Sequence, residues 1–198
     1  MSGHIRRSGL GRRRILAAGV AGAVTAVAPR AIWAAVAAGA TPAVAPAHQE
    51  LLRIVCDLVI PATDTPGAVA AGVPAFVLVG LAHGLAGEHQ MEPAGGLALL
   101  ERLEADLNRR AGGRFTLLSR ARQTAILTEL DRAAYAQGND AAEWRLMKSL
   151  IMTGYYTSEI GGSKELRYEL VPGRWDPDLP LARDNQAWSS DWTAVQFG

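Results

Sequence analysis

The chain has 198 residues, 49% of them hydrophobic, and a formal net charge of +1. That is enough apolar material to bury a core, which excludes a wholly disordered chain, and the length suits one domain plus an extension. A single cysteine, Cys56, excludes an intramolecular disulfide, a Cys-rich zinc site, an iron–sulfur cluster and a C-x-x-C-H haem attachment.

The charge is unevenly placed. Arg6, Arg7, Arg12, Arg13, Arg14 and Arg30 all precede residue 41, and no Asp or Glu does. The remainder carries 14 basic against 19 acidic residues, a net −5 that argues against a nucleic-acid partner. Residues 1–45 read as a leader and linker. Arg12-Arg13-Arg14 is a positive n-region, and Ile15 to Ala28 is a run of about 14 apolar or small residues. A comfortable membrane span needs ~20, so the run suits a secretory signal better. Arg12-Arg13-x-Ile15-Leu16 resembles the twin-arginine export motif, with Gly11 where a serine or threonine is usual. The competing readings are a basic, hydrophobic tail that anchors the chain by chance composition and an uncleaved signal anchor. Small-x-small cleavage candidates stand at 35–37, 38–40 and 43–45, the last followed by Pro46. These place the mature start between residues 29 and 48.

Residues 46–198 read as a mostly α domain, a compact bundle of about five helices with long Pro/Gly-rich loops. From Gln49, "QELLRIVCDLVI" puts Leu51, Leu52, Val55, Leu58 and Val59 on one helical stripe, and Pro61 ends it. Cys56 sits in that run as a small apolar residue. "PATDTPGAVAAGVP" is a loop punctuated by Pro61, Pro66, Gly67 and Pro74. A second helix starts at Pro74, a first-turn proline, and is apolar throughout. A third carries Leu97, Leu100, Leu103 and Leu107, with Arg109 and Arg110 at its C-terminal end. The fourth spans "RFTLLSRARQTAILTELDRAAYAQG" and buries Leu118, Ala121, Ile126 and Leu130. Asn139 or Asp140 caps the fifth, whose inner face is Trp144, Met147, Ile151 and Tyr155. From about residue 162 the pattern becomes an extended C-terminal tail rich in Pro, Gly, Asp and Trp. No hairpin is expected.

Chemistry-bearing motifs are scarce. His4, His48, His83 and His89 show no metal-ligand spacing and no evident orienting partner. Glu88 and Glu92 are flanked by Gly87 and Pro93, which suits a solvated turn more than an acid–base pair. There is no dinucleotide fingerprint, P-loop or nucleophile elbow. A triad built on Ser158 would need a remote base. The expectation is that the chain itself binds no cofactor and no metal and has no catalytic residue.

Two stretches carry a resemblance. "IVCDLVIPATDTPGAVAAGVPAFV" (54–77) resembles the opening signature of the gluconate 2-dehydrogenase subunit 3 family, and "LMKSLIMTGYYTSEIGGSKELRYELVPGRW" (146–175) resembles its second. The resemblance implies a small, non-catalytic subunit that partners a flavoprotein of the glucose–methanol–choline (GMC) type. FAD would sit on that partner, and a multihaem cytochrome c, carrying haem c, often takes the electrons. It also implies periplasmic localisation through the twin-arginine (Tat) translocase. The small subunit then supplies the export signal and stabilises the flavoprotein. A stand-alone exported enzyme or ligand-binding domain is the alternative reading.

On the first reading, the partner interface comprises Pro61, Thr65, Pro66, Gly67, Gly154, Tyr156, Thr157, Ser158, Pro172, Gly173 and Trp175. Prolines there offer stiff backbone, and Tyr156 and Trp175 offer aromatic anchors. Gly154 is expected to end or thin the fifth helix, with Tyr155 turned to the core and Tyr156 turned outward.

Overall fold

The computed structural model describes residues 29–86, 89–90, 93–136, 142–168 and 186–189. The fold is mostly helical. In chain order come α1 (Pro29–Ala37), α2 (Pro46–Val59), α3 (Val73–Ala82), a short hairpin of β1 (Leu85–Ala86) and β2 (His89–Gln90), and α4 (Pro93–Ala111). A 3-10 turn (Phe115–Leu117), α5 (Arg120–Ala134), α6 (Ala142–Tyr156) and a π turn (Gly161–Glu165) follow. Last come β3 (Arg167–Tyr168) and β4 (Trp188–Ser189), paired in parallel. Among the described residues no helix is long and apolar enough to cross a membrane.

The apolar helix α3 is the axis. Val73, Phe76, Val77, Leu78, Val79 and Leu81 are all buried, so it has no solvated face and needs neighbours around it. The other helices supply them with one stripe each. From α2 come Leu51, Leu52, Ile54, Val55 and Cys56, and from α4 come Leu99, Leu100, Leu103 and Leu107. From α6 come Trp144, Met147, Leu150, Ile151 and Tyr155. Helices α3 and α4 cross at Gly96, where a Cβ would lie 2.0 Å from the Leu81 carbonyl oxygen, so only glycine permits the approach.

Several sequence expectations are met. Pro61 lies just beyond α2, Leu100, Leu103 and Leu107 are buried, and the predicted inner face of α6 is the observed one. Cys56 is fully buried, and that burial pushes its thiol well above the ordinary range.

Others are corrected. The predicted fourth helix is two elements. Leu118 and Ser119 are extended between the 3-10 turn and α5, because Asn108 Oδ1 accepts from the Phe115 amide (2.8 Å) and Gln123 Nε2 donates to the Phe115 carbonyl (3.1 Å). Ala121 is exposed, and Gln123 and Leu127 take the inner face with Ile126 and Leu130. A hairpin does exist, with Leu85 opposite Gln90 and Ala86 opposite His89. Asn139, Asp140, Glu88 and Glu92 lie outside the described residues.

The largest addition is α1. Its residues belong to the stretch read as leader and linker, yet Ile32 is fully buried and Trp33 stacks on Phe76 with ring centroids 4.9 Å apart.

Candidate functional site: the surface where the two signatures meet

The two signature stretches, some ninety residues apart in the chain, fold against one another. The first contributes the loop between α2 and α3. Its stem is closed by the Ala68 amide on the Ile60 carbonyl (2.9 Å) and by the Val73 amide on the Ala68 carbonyl (3.0 Å). Gly67 lies inside that turn. A Cβ there would come within 2.6 Å of both the Ala62 nitrogen and the Ile60 oxygen, so the chain doubles back with no space for a side chain. The tip, Pro61 to Asp64, is exposed, and Thr65 and Pro66 are half-buried.

The second stretch contributes the end of α6 and the π turn. Ser158 is buried and works as a local clasp: its Oγ donates to the Tyr155 carbonyl (2.6 Å) and accepts from the Gly161 amide (3.0 Å). Gly161 packs so tightly under the helix end that a Cβ would lie 2.0 Å from the Tyr155 oxygen.

Among the described residues two side-chain hydrogen bonds join the stretches. The Tyr155 hydroxyl donates to the Pro66 carbonyl (2.9 Å), with the ring fully buried. Thr65 Oγ1 donates to the Glu165 carboxylate. A third element joins them, since Trp33 Nε1 on α1 donates to Thr157 Oγ1 (3.1 Å), and that hydroxyl donates to the Thr153 carbonyl (2.6 Å). The whole arrangement is braced from within at Gly154, where a Cβ would be 2.7 Å from Phe76 Cδ1.

At this junction one large aromatic of the described residues is exposed. Tyr156 is 39% exposed and stands edge-on to Tyr155, with centroids 5.3 Å apart and planes at 80°. Partial burial pushes its phenol above the ordinary range, and the Glu165 charge and Tyr155 act in the same direction. It therefore stays a neutral hydrogen-bonding phenol at physiological pH, beside a carboxylate already engaged by Thr65.

These positions sort the expected interface residues by role. Thr65, Pro66, Tyr156 and Thr157 lie at or beside the bonds that join the two stretches, and Pro61 lies at the exposed tip of the same loop. Gly67, Gly154 and Ser158 are buried and shape the surface from inside. The expectation for Gly154 is corrected: α6 runs through it to Tyr156, and the glycine is there for the Phe76 ring, not to break the helix. The outward orientation of Tyr156 and the inward one of Tyr155 are as expected. Pro172, Gly173 and Trp175, and the leader residues Arg12, Arg13, Ile15 and Leu16, lie outside the described residues.

Sequence reasoning missed Trp33 and Glu165. Trp33 carried a usable signal, since "PRAIWAAVA" begins with a helix-starting proline and spaces Ile32 and Val36 four apart. Glu165 carried none. The missing partner for His48 is also found, because its Nε2 lies 2.7 Å from Glu104 and ties α2 to α4.

The chain is a helical domain built round one apolar helix, with two separated motifs clamped together at one surface. The family model for gluconate 2-dehydrogenase subunit 3 matches residues 46–173, well over half of the chain, and the protein belongs to that family. Membership makes it a subunit of a dehydrogenase complex that oxidises a sugar-type substrate. No curated protein and no solved structure matches the chain.

Proposed function

We propose that this chain is the non-catalytic small subunit of a periplasmic, FAD-dependent GMC-type sugar or sugar-acid dehydrogenase, and that it exports and stabilises the flavoprotein that does the chemistry. The observation that carries the reading is the convergence of both family signatures on one rigid surface. A site for small-molecule chemistry would set ionisable groups around a concavity. Here the polar groups at the junction of the motifs are engaged with each other and with backbone: Tyr155 with Pro66, Thr65 with Glu165, Ser158 with Tyr155 and Gly161. Among the described residues, the exposed loop tip that begins at Pro61 and the Tyr156 ring are left open to an outside partner. Preorganised backbone and a half-buried tyrosine suit protein docking, because little entropy is lost and a large apolar face with a polar end is presented.

On this reading FAD belongs to the partner, a multihaem cytochrome c is the electron acceptor, and Arg12-Arg13-x-Ile15-Leu16 addresses the folded assembly to the Tat translocase. The test is co-purification of the tagged chain with a flavin-bearing protein, followed by Tyr156→Ala. Truncating a central interface aromatic costs about 2 kcal/mol, so binding should weaken about tenfold or more while the Michaelis constant of the assembled enzyme stays unchanged. An intact complex with a raised Michaelis constant would instead place Tyr156 at a substrate site and refute the docking role.

A further inference from the structure

We propose that residues 29–45 are a permanent part of the folded body, so that any removal of the leader is confined to bonds before Pro29. For the cleavage itself the proposal rests on the export reading above. The membership of 29–45 in the fold does not.

Three small-x-small sites, at 35–37, 38–40 and 43–45, would each discard α1 if used. The first lies within α1, and the other two lie at the hydrogen-bonded ends of the exposed connection between α1 and α2. Peptidases of this kind read an extended chain, but around the first two the Ala38, Gly39 and Ala40 amides are held by the carbonyls of Ala34, Val36 and Ala35 at 2.9 to 3.0 Å. These bonds form the C-terminal cap of α1. At the third, the Ala45 carbonyl accepts from the His48 and Gln49 amides as α2 starts, Val44 packs on the core, and Pro46 follows the bond. Upstream, Ala26-Val27-Ala28 is followed directly by Pro29, an equally poor bond, whereas Ala21-Gly22-Ala23 is not so blocked.

Loss of α1 would also open the body. Ile32 is 1% exposed, and the Trp33 ring covers Phe76 and lies 3.5 Å from where a Cβ on Gly72 would stand. Gly72 takes a left-handed conformation (φ 77°) in the turn that receives that ring. Trp33 also carries the hydrogen bond to Thr157, so α1 braces the surface assigned to the partner. A chain exported folded would present all this packing before any peptidase met it. The matched family region begins only at residue 46, so the role of α1 comes from its packing alone.

Two measurements test the proposal. The first is N-terminal sequencing and intact mass of the chain recovered with its partner from the periplasmic fraction. The expected N-terminus is at or before Pro29, and one at 38, 41 or 46 overturns the proposal. The second is thermal unfolding of the full chain with Trp33→Ala. The melting temperature should fall by at least about 5 °C, since a core-packed aromatic is lost. An unchanged melting temperature would show that α1 is not part of the body and overturns the proposal as well. A chain found only in the cytoplasm would defeat the export reading, and the melting experiment would still decide on α1.

Discussion

Gly154→Ala sets two effects of known sign against each other. In an exposed helix interior, replacing glycine with alanine stabilises by about 1 kcal/mol, because the unfolded chain loses freedom and the helix gains propensity. At Gly154 the new methyl would stand 2.7 Å from Phe76 Cδ1, 3.2 Å from Phe76 Cγ and 3.2 Å from Val73 Cγ1. The first distance is 0.7 Å inside ordinary van der Waals contact, which begins at 3.4 Å. A long side chain could swing its end away, but Phe76 is 0% exposed and is held under the Trp33 ring. Helices α3 and α6 must therefore separate, or the ring must leave its rotamer. Overpacking of this kind costs about 1–3 kcal/mol, and the upper part of that range applies because either response disturbs a fully buried contact. After the propensity gain is subtracted, a net loss of about 1–2 kcal/mol remains. At about 2–4 °C per kcal/mol for a chain this size, the melting temperature should drop by roughly 2–8 °C. Far-UV circular dichroism on heating reads the shift. Gly113→Ala is the control, since nothing lies within 4 Å of a Cβ there and its backbone is not left-handed, and it should be neutral or slightly stabilising. A Gly154→Ala protein that melts at or above the parent would show that the ring yields freely, and the close-packing account would be wrong.

Further outcomes follow from other parts of the molecule. Burial raises the Asp131 pKa, but hydrogen bonds from Lys148 and the Trp144 indole outweigh it, so its carboxyl is held below the ordinary value in the fold. The stability this provides is complete above the unfolded aspartate value of about 3.9 and is lost as pH falls through the lower folded value. Asp131→Asn should therefore flatten the decline in melting temperature between pH 5 and pH 3 (roughly the window set by that value), and an unaltered slope would remove Asp131 from the account. Cys56 should resist thiol reagents in the native chain and react once on full unfolding, whereas labelling of the native protein would contradict its burial. Changing Arg12 and Arg13 together to lysine conserves charge but removes the receptor-read pair, so the chain and its flavoprotein should stay in the cytoplasm. Periplasmic delivery of both would end the twin-arginine reading.

The sequence alone determined the features that depend on near neighbours in the chain. Leu, Ile and Val at helical spacing, punctuated by Pro61, Pro66, Gly67 and Pro74, set out α2, α3, α4 and α6, and the two signatures indicated the family. Local spacing decides which face of a helix is apolar, so the inner face of α6 was legible residue by residue. What only the tertiary structure decided are the pairings across distance. Trp33 meets Thr157 across 124 residues, Thr65 meets Glu165 across 100, and Tyr155 meets Pro66 across 89. Gly154 is the sharpest case. A glycine two residues before the end of an apolar helix reads as a stop, and nothing nearby in the chain distinguishes that from a glycine kept small for a neighbour. The distinction lies in where α6 crosses α3, which brings Phe76 to the point a methyl would occupy, and a crossing point belongs to the packed bundle, not to either helix.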